Sequence, residues 1–145
     1  MCRSVVVATL LGLAVLTLLA PPARAEKKEV KLTKEWKGSV ADAALAKEAP
    51  EYIADTKSLE KLWKKWGIEG KVPQVDFKKE LVILSTTVGS KLSLSAKLDK
   101  GNLQVLGLAT RDIGPGFRYV IATVSREGVK TVNGKEIKEA EKDEK

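Results

Sequence analysis

Leu81-Val82-Ile83-Leu84 is apolar at every position, and Phe117-Arg118-Tyr119-Val120-Ile121-Ala122-Thr123-Val124-Ser125 is apolar on both alternating phases. Successive side chains of a strand point to opposite faces. A strand that is apolar on both phases therefore needs cover on both sides. In the longer run Phe117, Tyr119 and Ile121 make one face, and Val120, Ala122 and Val124 the other. Two central strands are expected, each carrying apolar material above and below.

One cover is legible nearby. Leu59, Leu62, Trp63 and Trp66 fall at i, i+3, i+4 and i+7, the apolar stripe of a helix over about 56–66. Asp55 or Thr56 can cap its start, and Gly67 can supply the left-handed residue that ends it. Lys57, Glu60, Lys61, Lys64 and Lys65 fill the opposite face, so both tryptophans read as core anchors against a sheet.

The remaining strands are set by alternation and turn residues. Leu92, Leu94, Ala96 and Leu98 alternate with polar positions, the pattern of a half-solvated antiparallel strand. Asp99-Lys100-Gly101-Asn102 turns that strand into Leu103–Thr110. There the apolar phase shifts from Leu103 and Val105 to Leu106 and Leu108, which predicts a bulge. Arg126-Glu127-Gly128 and Asn133-Gly134 turn the chain on either side of Val129–Val132. Upstream, Val30 and Leu32 open a strand running to Trp36, which Lys37-Gly38-Ser39 should break or bulge. Ala41–Ala49 fits a helical turn or a loop, Glu51–Ala54 a short strand, and everything after Pro73 reads as strand. The expected class is α+β: a twisted antiparallel sheet, or a small sandwich, of six to seven strands with the one helix packed on it.

Residues 1–25 read as a secretory signal peptide. Arg3 precedes an uncharged apolar run from Val5 to Ala20, Pro21-Pro22 follows, and Ala23-Arg24-Ala25 fits a signal peptidase. The run is shorter than the roughly 20 residues a membrane-spanning helix needs, so cleavage near Ala25 and export to a periplasmic or extracellular space are expected, with no transmembrane segment in the mature chain. Residues 26–134 then form one domain. Residues 135–145, where only Ile137 and Ala140 are apolar, read as a charged, mobile tail.

Composition excludes a good deal of chemistry. The chain has no histidine, and its one cysteine, Cys2, lies in the signal. A disulfide framework, a cysteine nucleophile, a thiolate metal site and a Ser–His pair are all ruled out. Acidic residues are scattered, so no metal site, cofactor or catalytic residue is indicated, and the reading is not an enzyme. The signal takes two of the 26 basic residues and none of the 19 acids, which leaves the mature domain at 24 − 19 = +5. Only Arg111, Arg118 and Arg126 of those bases are arginine. Lysine spread among glutamate reads as a solubilising surface, and nucleic acid is not expected as a partner.

Two segments are richer than scaffolding needs. Pro73-Gln74-Val75-Asp76-Phe77 lies between the helix and the first central strand, with Asp76 suited to a turn and Phe77 to a core plug. Thr110-Arg111-Asp112-Ile113-Gly114-Pro115-Gly116-Phe117 joins two apolar strands by an unusual path. Arg111, Asp112, Gly114, Pro115 and Gly116 are the candidate partner-binding residues, because recognition concentrates on loops held by a strand scaffold. The plain alternative is a wide connection with a local Arg111–Asp112 contact.

The helix bearing Leu59, Leu62, Trp63 and Trp66, then Pro73-x-Val75-Asp76-Phe77, then Leu81-Val82-Ile83 and a Gly-rich turn before Phe117–Val124, resembles the PrcB C-terminal domain family over about residues 50–132. The resemblance implies a subunit of, or stability factor for, an exported complex containing a subtilisin-like protease, and it implies no catalytic residues. A lipid-anchor cysteine that some members use has no counterpart here. The expected function is an exported, non-catalytic protein that binds and stabilises or modulates an exported protease or other envelope protein. The other reading is a binding module for an anionic small or polymeric ligand.

Overall fold

Leu81, Val82, Ile83 and Leu84 are all buried in the computed structural model, which describes residues 27–138. Residues 1–26, which include the expected signal peptide, and residues 139–145 of the expected tail lie outside the described residues. The structure is mixed and mostly strand, with little helix, and its strands form two sheets.

In chain order the elements are β1 (Lys28–Val30), β2 (Lys34–Val40), a 3-10 segment (Ala43–Glu48), β3 (Tyr52–Ile53), α1 (Thr56–Lys65), β4 (Glu80–Thr87), β5 (Leu92–Asp99), β6 (Asn102–Ala109), β7 (Phe117–Ser125), β8 (Thr131–Val132) and β9 (Lys135–Glu136). One sheet runs β1-β5-β6-β8-β9 and the other β2-β7-β4-β3. Every pairing is antiparallel except the two-residue β6–β8 contact.

The doubly apolar strands β4 and β7 lie side by side in the centre of the four-stranded sheet. Their Val82, Leu84, Phe117, Tyr119 and Ile121 face α1, where Leu59, Leu62, Trp63 and Trp66 complete one core. Their Leu81, Ile83, Val120, Ala122 and Val124 face the five-stranded sheet and pack on Leu94, Ala96, Leu103 and Val132. Asp55 caps α1 through its carboxylate, which accepts from Ser58 N–H at 2.7 Å. Gly67 follows at φ +60°.

Several expectations are corrected. Nine strands are present among the described residues, where six or seven were expected; the extra ones are two or three residues long and below what patterning detects. The opening strand breaks at Lys31-Leu32-Thr33, where the chain crosses from one sheet to the other. Lys37-Gly38-Ser39 lies inside β2, in continuous register with β7. β6 has no bulge, since its pairing with β5 is unbroken from Asp99–Asn102 to Leu92–Ala109. Leu106 and Leu108 instead point outward, 45% and 70% exposed, while Gly107 faces the other sheet. A side chain at Gly107 would collide with Ser85 Oγ, so a small residue is required where the sheets come closest. Residues 73–79 form a turn-rich link rather than strand. Finally, residues 135–138 belong to the fold: Tyr52 Oη donates to the Glu136 carbonyl at 3.0 Å and accepts from Lys138 N–H at 3.1 Å, and Ile137 packs on the inter-sheet core.

Candidate functional site

The sequence motifs resolve into structural parts first. In Pro73–Phe77, Asp76 accepts from Lys78 N–H through its carboxylate at 3.1 Å, and its carbonyl accepts from Lys79 and Glu80. Phe77 plugs the helix-side core, and Arg126 donates to its carbonyl at 2.9 Å. Asp76 is thus committed to the turn that launches β4. Trp63 and Trp66 are each 5% exposed, and Trp66 meets Phe117 and Tyr119 at ring distances of 5.1 and 5.4 Å.

The 110–117 loop divides into scaffold and free surface. Gly116 sits at φ +67°, and a side chain there would collide with the Val40 carbonyl, so its role is to let the loop cross the end of β2. Gly114 N–H donates to the Val88 carbonyl at 2.8 Å. Asp112 accepts from Ser90 N–H at 3.0 Å. The Ser90 hydroxyl, then its N–H, then the Thr110 hydroxyl hold the Asp112 carboxyl well below the usual carboxylate range. Asp112 therefore ties the loop to the β4–β5 connection, and no Arg111–Asp112 ion pair forms. Arg111, Ile113 and Pro115 are exposed, and Arg111 has no ionic or hydrogen-bonding partner among the described residues.

Beside this loop lies a cleft of about 740 Å³. Its floor is Val120 and Leu92. One wall is Lys37-Gly38-Ser39 of β2 with Arg118 of β7, and the other runs from Ser90 to Ser93 with Ala109 and Thr110. The register explains the first wall: Ser39 stands opposite Arg118 and Lys37 opposite Val120, all on the inter-sheet face beyond the point where the core closes. Three cationic residues line the cleft. Lys37 has an exposed ion pair with Glu35 at 2.5 Å, worth about 0–1 kcal/mol. Lys91 and Arg118 have no acidic partner among the described residues. Ser39, Ser90, Ser93 and Thr110 add hydroxyls.

In a second cleft, of about 380 Å³ between β3 and α1, Lys65 pairs with Glu48 and Asp55 is spent on the helix cap, while Lys61 and Lys138 also line it. Among the described residues no group of three or more metal-ligating side chains forms, and no helix is long and apolar enough to cross a membrane. Among the described residues, the Asp112 and Glu51 carboxyls both move down, Glu51 chiefly through its hydrogen bond with Lys135. Burial pushes the Tyr119 hydroxyl up. Neither carboxyl stores a proton near neutral pH, and the tyrosine keeps its own. Comparison with known proteins returns no matching family model, curated protein or solved structure.

Lys37, Lys91 and Arg118 were not singled out by sequence. Arg118 alone left a signal, as the one charge within the otherwise apolar Phe117–Val124 run.

Proposed function

We propose that this chain is an exported, non-catalytic module that binds another protein of the same compartment and stabilises or modulates it. The observation that carries the reading is the cleft between the sheets, where Arg118 and Lys91 present charge that nothing among the described residues neutralises. Unpaired cations over an apolar floor suit recognition of a carboxylate-bearing surface. The lack of histidine, and of any cysteine after Cys2, favours binding over turnover. The family resemblance supports a subtilisin-like protease as the partner. The signal-like residues 1–25 support export with cleavage near Ala25.

The test is capture from envelope extract by the parent and by Arg118→Glu, with thermal melting in parallel. Loss of a specific captured protein at an unchanged melting temperature is expected. Identical capture by both forms removes the cleft from the interaction and overturns the reading.

A second reading, a module for a small or polymeric anion, is favoured by the hydroxyls of Ser39, Ser90 and Thr110 beside the same cations. Saturable binding of inorganic phosphate, lost in Arg118→Glu, would select it.

A further inference from the structure

Taking the chain as a protein-binding module, we propose that its partner contributes an extended acidic segment that adds as a strand along β5, in the slot β1 vacates after Val30. The ladder geometry argues for it. Thr110 N–H donates to the Lys91 carbonyl at 3.1 Å, so that pair faces inward across the β5–β6 ribbon. Antiparallel ladders alternate. At Leu92, opposite Ala109, and at Leu94, opposite Gly107, the main-chain groups consequently point away from β6. β1 covers that outer edge only from Leu98 to Ala96, because the chain leaves for the other sheet after Val30. Leu92 and Leu94 are left with an outward N–H and C=O each and no strand beside them among the described residues.

An unpaired edge beside an open cleft is a template for strand addition, in which main-chain bonds give affinity and flanking side chains select the partner. Here the selection is by charge. Lys91 lies on the edge itself, and Lys37 and Arg118 stand across the cleft from it. A basic strand, including one from a second copy of this lysine-rich chain, is repelled, while one with acidic side chains is attracted. β6 also has an open edge beyond Val105, whose N–H donates to Asn133 Oδ1, but no charge falls between Val105 and Ala109 to select an occupant.

The experiment uses labelled decapeptides in fluorescence anisotropy with the intact chain: one alternating valine and glutamate, one alternating valine and lysine, and the glutamate peptide with every backbone amide N-methylated. The glutamate peptide is expected to bind, the lysine peptide at least about tenfold more weakly, and the N-methylated peptide not at all, since it lacks the donors a ladder needs. Arg118→Glu with Lys91→Glu should weaken the glutamate peptide by about tenfold or more at unchanged melting temperature. Leu92→Pro removes an outward N–H together with the Leu92 side chain at the cleft floor, and should weaken binding more than Leu92→Ala, which removes the side chain alone. Equal binding of the methylated and parent glutamate peptides overturns strand addition; if envelope capture still depends on Arg118, the binding-module reading stands without it. Failure of the glutamate peptide to bind, binding of inorganic phosphate in its place, or a dimer of the chain that Arg118→Glu disperses each overturn the proposal in favour of another occupant.

Discussion

Gly38 stands directly opposite Tyr119 across the β2–β7 ladder, and the tyrosine ring lies over it, so that a side chain at Gly38 would begin 2.6 Å from the ring carbon that bears the hydroxyl. Tyr119 in turn packs beneath Trp66, which sits at the end of α1 and also meets Phe117 edge-on. One missing side chain on an edge strand thereby fixes how the helix seats on the sheet. The residue that looked like a strand breaker is the position that admits the aromatic stack.

Three glycines give a graded test of this packing. Gly38→Ala must displace a ring wedged under Trp66 and should cost about 1–3 kcal/mol. Gly67→Ala, at φ +60° with open space around it, should cost about 1–2 kcal/mol from backbone strain alone. Gly116→Ala combines φ +67° with a collision against the Val40 carbonyl and a 2.9 Å approach to Ala41 Cα, neither of which can swing away. It should be the most damaging of the three in urea denaturation, and equal losses at all three sites would disprove the ranking.

Trp63 carries a contradiction that mutation can expose. Its ring is buried and meets Trp36 edge-on at 6.3 Å, yet its Nε1 is buried without a hydrogen-bond partner among the described residues. Trp63→Ala should cost about 3–5 kcal/mol through the cavity it leaves. Trp63→Phe keeps most of the packing and removes a donor whose burial costs about 1–3 kcal/mol, so it should cost much less. A phenylalanine variant as unstable as the alanine one would show that the indole N–H is satisfied.

The elements legible in sequence are those whose pattern is local. The stripe from Leu59 to Trp66 and the double apolar phase of Phe117–Val124 each report cover directly, because a side chain's direction follows from its position in helix or strand. What failed depended on distant partners. Leu106 and Leu108 suggested a phase shift, but the inward residue is Gly107, chosen for its approach to Ser85. Lys31–Thr33 changes sheet to meet Thr123, whose carbonyl accepts from Thr33 N–H at 2.8 Å. The cleft could not be read at all: Lys37 and Arg118 come from β2 and β7 of one sheet and Lys91 from the connection that leads into β5 of the other, and only the fold sets them around one opening.

The C-terminal charged stretch is a further case, and truncation can locate where the fold ends. A chain ending at Lys138 retains Ile137 in the inter-sheet core, both hydrogen bonds to Tyr52 Oη and the exposed Lys135–Glu51 contact at 2.8 Å. A chain ending at Gly134 loses all of them. The shorter form should be less stable by about 2–4 kcal/mol, from partial burial of Ile137 and two hydrogen bonds. Coincident denaturation midpoints for the two truncations would return residues 135–138 to a loose tail.

Asp112 links the 110–117 loop to the cleft, because the Ser90 that it holds is part of the cleft wall. In the folded chain the Ser90 hydroxyl, the Ser90 N–H and the Thr110 hydroxyl favour the ionised carboxylate, whereas unfolded it titrates near 3.8. A carboxyl whose pKa is lower folded than unfolded contributes its full stability above the unfolded pKa, and loses it as pH falls toward the folded one. The melting-temperature gap between the parent and Asp112→Asn should therefore be widest near pH 7 and narrow below about pH 4. Amide exchange at Ser90 should be faster in the variant at neutral pH, because asparagine offers a weaker acceptor than the carboxylate. A gap that stays constant down to about pH 3 would mean the carboxylate's charge adds nothing, and that the loop is held by Gly114 and Gly116 alone.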